Sequence, residues 1–272
     1  MKFLPLSSVK KRNAVFFNKF IMDFHNYYTP KNGNSMEDYE DACAYSEESL
    51  CFCLSDGATE SPFSKELATL LVNNFVRQPI PNDNLKQALL HTVIQSQPLW
   101  HDILKDKQLP WYAEQKISTG SHATFTGLRL TVLPAKSLKD KLKRVVKIKW
   151  ETVGVGDSCF FIVRNDELFK AFPIGKVEDF NNTPPLISSI EPLTEENIAY
   201  DSGIIQKGDK LYLMTDAIAL WFLKSSINGD KPWDTLQSID SMETFISFVD
   251  TLRAGKEIKN DDVSCIMMNF KP

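Results

Sequence analysis

Short apolar runs that meet a carboxylate at one end set the strongest limit on how this chain can fold. Leu50-Cys51-Phe52-Cys53-Leu54 is apolar enough for a buried strand, and it stops at Ser55-Asp56-Gly57. Glu40-Asp41 precedes Ala42 to Tyr45, Thr215-Asp216-Ala217 closes Leu211 to Met214, and Asp261-Asp262 opens Val263 to Phe270. Runs this short, bounded by turn residues, read as strands and not as membrane spans. Strands in succession argue for antiparallel sheets with helices packed outside, an α+β arrangement.

Taken in order, residues 11–28 mix aromatic and polar side chains and fit either a strand or a helix. Asp41 to Tyr45 and Leu50 to Leu54 read as a hairpin around the polar turn Ser46–Ser49. Asp41 and Asp56 then lie together at its open end. Leu67, Leu70, Leu71 and Phe75 recur at helical spacing, so 63–77 is an amphipathic helix. Residues 84–104 form a second, and Pro110 to Ile117 a short third. His122 to Leu133, Val145 to Val153, Cys159 to Val163 and Leu168 to Phe172 read as strands. Residues 173–200 hold Pro173, Pro184, Pro185 and Pro192 and read as irregular. Leu211 to Met214 is a strand reaching Asp216, 217–227 and 242–252 are helical, and Val263 to Phe270 is the last strand.

The chain has 272 residues, 43% hydrophobic and 24% charged, long enough to bury a core without disulfides. With no repeat and no linker it reads as one domain over 1–272. Net charge is −4, which argues against a nucleic-acid partner. The N-terminal apolar run is too short for a signal peptide, so the expectation is a cytoplasmic monomer that does not engage a membrane. The five cysteines are odd in number and lack a Cys-x-x-Cys pair, so they read as reduced core residues. Several familiar catalytic signatures are missing. Cys159 and Arg164 are one residue too close for a Cys-x5-Arg cradle, and there is no Asp-x-Asp pair, His-Glu-x-x-His motif or glycine-rich Lys-Ser/Thr loop.

Any one of the four acidic motifs alone is an ordinary solvated turn. Brought to one rim, their carboxylates would repel and raise each other's pKa values. A pair of hard dications relieves that repulsion, and all-oxygen ligation selects Mg²⁺ or Mn²⁺ over zinc.

Six motifs, in order from about Met36 to Phe270, resemble those of the PP2C-type metal-dependent serine/threonine protein phosphatases, compact bacterial-style members in particular. They are Glu40-Asp41-Ala42, Leu54-Ser55-Asp56-Gly57, Gly120-Ser121-His122-Ala123-Thr124, Val153-Gly154-Val155-Gly156-Asp157-Ser158, Gly208 to Asp216, and Asn260-Asp261-Asp262-Val263-Ser264. The resemblance implies a four-layer αββα sandwich of two antiparallel sheets flanked by helices. It implies two ions, Mn²⁺ or Mg²⁺, and a phosphorylated protein substrate hydrolysed by a hydroxide that the ions activate.

By the same resemblance Asp56 bridges both ions, the Gly57 carbonyl binds one, and Asp216 and Asp261 hold the second. Glu40 and Asp41 act mainly through bound waters, Asp56 and Asp41 form the catalytic pair, and Asp157 fixes a turn. The chain departs from the family pattern at Met36, where a phosphate-gripping arginine is usual, and Lys31 is the nearest replacement. Ala58 and Ala217 stand where other members carry histidine and glycine. A third ion lacks an acid just before Gly120. The alternative is a pseudophosphatase, the same fold used as a binding or regulatory module. The basic run Lys136, Lys139, Lys141, Lys143 and Arg144 reads as a solvated loop, and Trp221 and Phe222 as core. The whole reading requires Asp56, Asp216 and Asp261 to converge without being neutralised by lysine or arginine.

Overall fold

A computed structural model describes residues 13–17, 20–77, 84–105, 117–134, 147–180 and 183–271. The expected helix at 110–117 and the basic run at 136–144 lie outside the described residues, apart from Ile117. Of the stretch that fitted either a strand or a helix, the described residues are strands: β1 (Asn13–Phe17) pairs antiparallel with β2 (Phe20–Thr29). The expected hairpin is β3 (Ala42–Ser46) and β4 (Cys51–Ser55), with Ala42 opposite Ser55. Helices α1 (Ser64–Arg77) and α2 (Leu85–Lys105) follow.

The segment expected as one strand from His122 to Leu133 is two, β5 (His122–Ala123) and β6 (Phe125–Leu133). Thr124 breaks it, because its N–H donates to the Asp56 carbonyl at 2.8 Å. Then come β7 (Lys147–Val155), β8 (Cys159–Arg164) and β9 (Glu167–Phe172). The β8–β9 turn is Asn165-Asp166, both left-handed (φ 51° and 64°), as a two-residue hairpin favours.

The stretch read as irregular contains β10 (Ile187–Ser188) and, from its end onward, β11 (Ala199–Ile204). The sequence of β11, Ala-Tyr-Asp-Ser-Gly-Ile, lacks a continuous apolar run because it is an edge strand bonded only to β7. After β12 (Lys210–Met214) come α3 (Asp216–Ile227), a short α4 (Pro232–Gln237) that the apolar pattern does not reveal, α5 (Met242–Ala254) and β13 (Val263–Lys271). Pro232 suits the first turn of α4, where its missing N–H is no loss, and Ser241 caps α5 by accepting from the Thr244 N–H at 3.1 Å.

Two antiparallel sheets stack face to face. One has the order β1-β2-β13-β12-β8-β9 and the other β11-β7-β6-β4-β3, while β5 and β10 form a small separate pair. Alternation along the strands explains why their runs are continuously apolar. In β8, Phe160 and Ile162 enter the layer between the sheets, with Phe52, Leu54, Leu128 and Leu213. Cys159, Phe161 and Val163 point the other way, into a layer shared with Phe222 of α3 and Phe245 of α5. On the opposite side Leu67, Leu71 and Phe75 of α1 and Leu89 and Val93 of α2 cover Cys53, Phe125 and Val153. Both faces of each central strand are therefore buried, and the four layers run αββα. Burying one such phenylalanine or leucine contributes about 1.5–3 kcal/mol. Trp221 and Phe222 are core, as expected, and the described cysteines are free thiols. Among the described residues no helix is long and apolar enough to cross a membrane.

Candidate metal centre

The acidic ends of the strands gather on one rim, where the two sheets meet. Asp41 precedes β3 and Asp56 follows β4, and the Ala42–Ser55 register places them side by side. Across the sandwich, Met214 of β12 lies opposite both Cys159 and Cys265, which brings Asp157, Asp216 and Asp261-Asp262 to the same end. Ser264 ties the sheets together. Its hydroxyl donates to Asp41 Oδ2 at 2.8 Å and makes a short bond with the Tyr39 hydroxyl, and its N–H donates to Thr215 Oγ1 at 2.9 Å.

Thr124 holds the Asp56 backbone. Its hydroxyl accepts from the Asp56 N–H at 3.1 Å and pairs with Ser158 Oγ at 2.6 Å, locking the Gly156-Asp157-Ser158 turn to the end of β4. Gly156 is left-handed (φ 99°), and an added Cβ would stand 2.8 Å from Thr124 Cβ. At Gly57 the constraint is space, not torsion. A Cβ there would lie 2.9 Å from the Glu40 carbonyl oxygen and from two atoms of Ser64. Only glycine lets the Asp56 turn pass this close to α1.

The electrostatics follow from this convergence. Burial, then the charges of Asp41, Asp216, Asp261 and Asp157, push the Asp56 carboxyl well above the usual carboxylate range. Burial and the neighbouring Asp262 raise Asp41 in the same way, with a hydrogen bond from Ser264 opposing them. Asp157 is pushed up to about 7 by burial and by Asp216. Asp216 opens α3, where its own helix favours a carboxylate, yet burial still raises it. Two carboxylate oxygens, Asp41 Oδ1 and Asp216 Oδ1, are buried without any hydrogen-bond partner. Orphaned buried acceptors demand an explanation, and a cation bound on the rim would supply one.

The expected site residues have separate fates. Asp41, Asp56, Asp216 and Asp261 share the rim. Glu40 turns toward Ser64, accepting from its hydroxyl at 2.7 Å, and toward Lys31 at 3.6 Å. Asp262 accepts backbone N–H bonds from Lys31 at 2.8 Å and Glu40 at 2.7 Å, so it organises the loop that carries them. Met36 is exposed, and Lys31 Nζ reaches Thr59 Oγ1 at 3.4 Å, near the Asp56 turn.

Lys259, absent from the sequence expectations, pairs closely with Asp216 and lies 2.9 Å from Asp261 Oδ2. The three critical acids converge as expected, but the expectation that no lysine or arginine would neutralise them fails for two of them, Asp216 and Asp261, which share one lysine. Among the described residues no lysine or arginine pairs with Asp41 or Asp56, and no set of three or more His, Cys, Asp or Glu side chains stands ready-made in ligating geometry. One ammonium against Asp41, Asp56, Asp157, Asp216 and Asp261 leaves the rim strongly acidic. Its oxygen-only donors fit a hard dication, with closure of the side chains around it.

No protein-family model and no curated protein matches the sequence. Solved structures match the fold. PppA, a key regulatory component of the T6SS in Pseudomonas aeruginosa, superposes with TM-score 0.57 at 14% identity, over 95% of this chain and 100% of its own. The catalytic domain of the serine/threonine protein phosphatase PstP, solved with two manganese ions, gives 0.59 at 13% identity over 93% and 100%. The fold is that of PP2C-type phosphatases. Stp1 from Staphylococcus aureus, another serine/threonine phosphatase, gives 0.60 at 12% identity over 92% and 95%. At such identities the PP2C likeness is one of architecture.

Proposed function

We propose that this chain is a divalent-metal-dependent phosphatase, acting as one catalytic domain on phosphoserine or phosphothreonine in a protein substrate. The observation that carries the reading is the buried pair of partnerless oxygens, Asp41 Oδ1 and Asp216 Oδ1, on a rim shared with Asp56 and Asp261. The PP2C fold, and the two manganese ions of the PstP structure, support placing Mn²⁺ or Mg²⁺ there. Asp56, the Gly57 carbonyl, Asp216 and Asp261 would hold the ions, with Asp41 orienting solvent around them, while Glu40 is engaged by Ser64 and Lys31. When bound, two such ions make hydroxide available near neutral pH and screen the charge on phosphate oxygens.

The chain's own residues do the rest. Asp41 is held on Ser264 through Oδ2, which leaves Oδ1 without a protein partner and able to accept a proton from water. The Asp56 backbone is fixed by Thr124, so its carboxylate keeps its place as charge accumulates. Lys31 is the cation placed to receive an anionic substrate, where Met36 offers none. The low-dielectric rim strengthens each of these interactions.

A specific observation favours a second reading, a non-catalytic binding module: Lys259 partly neutralises Asp216 and Asp261. Manganese-dependent hydrolysis of p-nitrophenyl phosphate separates the two. Turnover that is lost in Asp56→Asn, with circular dichroism unchanged, supports the enzyme. A wild-type chain that binds Mn²⁺ without turnover supports the module.

A further inference from the structure

Lys259 is a cation on the rim with no part in the proposed chemistry. Its ammonium sits between Asp216 and Asp261, two of the acids assigned to a single ion. The lysine side chain is 54% exposed, whereas that of Asp216 is 12% exposed. The amine can therefore leave for water by rotating its stem, with no repacking of the core. Its hold is incomplete, because it meets Asp216 Oδ2 while Asp216 Oδ1 stays buried and partnerless. The turn that carries it is locally fixed: Lys256 is left-handed (φ 57°), and Arg253 donates to the Asp261 carbonyl at 2.7 Å. Only the Lys259 side chain, and not its backbone, is free to choose between rim and solvent.

We propose that Lys259 is an internal cation that fills the place of one divalent ion in the metal-free chain, so that metal uptake is an exchange in which the ammonium departs as the ion arrives. The inference rests on the metal-centre reading above. It makes the chain a selective collector of metal. Lysine offsets the repulsion between the two acids and keeps the rim folded when metal is scarce, and only an ion concentrated enough to outcompete a tethered amine enters. No bond is made or broken in this exchange, and the proton stays on nitrogen.

The test uses the full chain and manganese alone. Calorimetric titration should show Lys259→Gln binding Mn²⁺ at least about tenfold more tightly than wild type, equal to about 1.4 kcal/mol at 25 °C. Lys259→Arg, which keeps the charge, should bind no better than wild type. The metal-free Gln variant should melt at a lower temperature and gain more from Mn²⁺. Should it not survive without metal, displacement from the Mn²⁺-loaded form by a chelating dye gives the same ratio. A direct readout is the Nζ signal of Lys259 in ¹⁵N-lysine protein, assigned by its absence in the Gln variant. It should be slow to exchange without metal and lost on adding diamagnetic Mg²⁺. Equal affinities in wild type and Gln variant, or an Nζ signal that persists once Mg²⁺ is bound, overturn the exchange and leave the metal centre standing. Failure of all three chains to bind either ion overturns both.

Discussion

Asp157→Asn isolates one part of the repulsion stored on the rim. The Asp157 side chain is buried and its carboxyl is pushed up to about 7, by burial first and by Asp216 second. An unfolded aspartate titrates near about 3.9. The native state therefore holds this proton over a range in which the unfolded state has released it. The stability linked to it is full below the unfolded value and is lost as pH rises through the folded one. Each pH unit in that window removes about 1.4 kcal/mol, so from pH 5 to pH 8 the loss from this group is about 2–3 kcal/mol. Asparagine carries no such proton. Denaturant melts of the metal-free proteins, taken in chelator at both pH values, should show the variant gaining on wild type by that amount. Parallel stability profiles for the two proteins would refute the argument, because they would mean that Asp157 ionises as freely in the fold as out of it.

Gly57→Ala should cost about 1–3 kcal/mol in a denaturant melt and weaken Mn²⁺ binding, because the new methyl meets Glu40 and Ser64 at 2.9 Å and shifts Asp56. Asp262→Ala strips the acceptor from the Lys31 and Glu40 N–H groups, and a loss of about 2–4 kcal/mol is expected in the same assay. Arg164→Ala leaves the fully buried Asp209 without its two-pronged partner and should cost about 3–5 kcal/mol. The double variant Arg164→Ala/Asp209→Asn should recover part of that, which a melt of both proteins checks.

Much of this molecule is readable from its residues because its physics is repetitive. The hairpin, the helices at 63–77 and 84–104 and the paired central strands follow from periodicity alone. So does the two-sided burial of β8, β12 and β13, whose runs have no polar face. The convergence of Asp41 with Asp56 follows from a hairpin register, and that of Asp216 with Asp261 from strand ends. The illegible parts depend on contacts between distant segments. Thr124 splits a strand through a bond to Asp56, and β11 is a strand by virtue of pairing with β7. Ser264 and Tyr39 act as rim scaffolds only because β13 meets the loop before β3. Lys259 stands two residues ahead of Asp261, but a lone lysine in a turn gives no sign of which acids it will find.

The single hydroxyl of Ser264 belongs to one sheet and grips a carboxylate of the other. The spacing between the acids is thus a matter of how two plates are staggered, as much as of any loop. A change deep between the plates, far from solvent, would slide this joint and alter ion preference without touching a ligand. Variants selected for a different metal should accordingly map to the oily seam as well as to the rim.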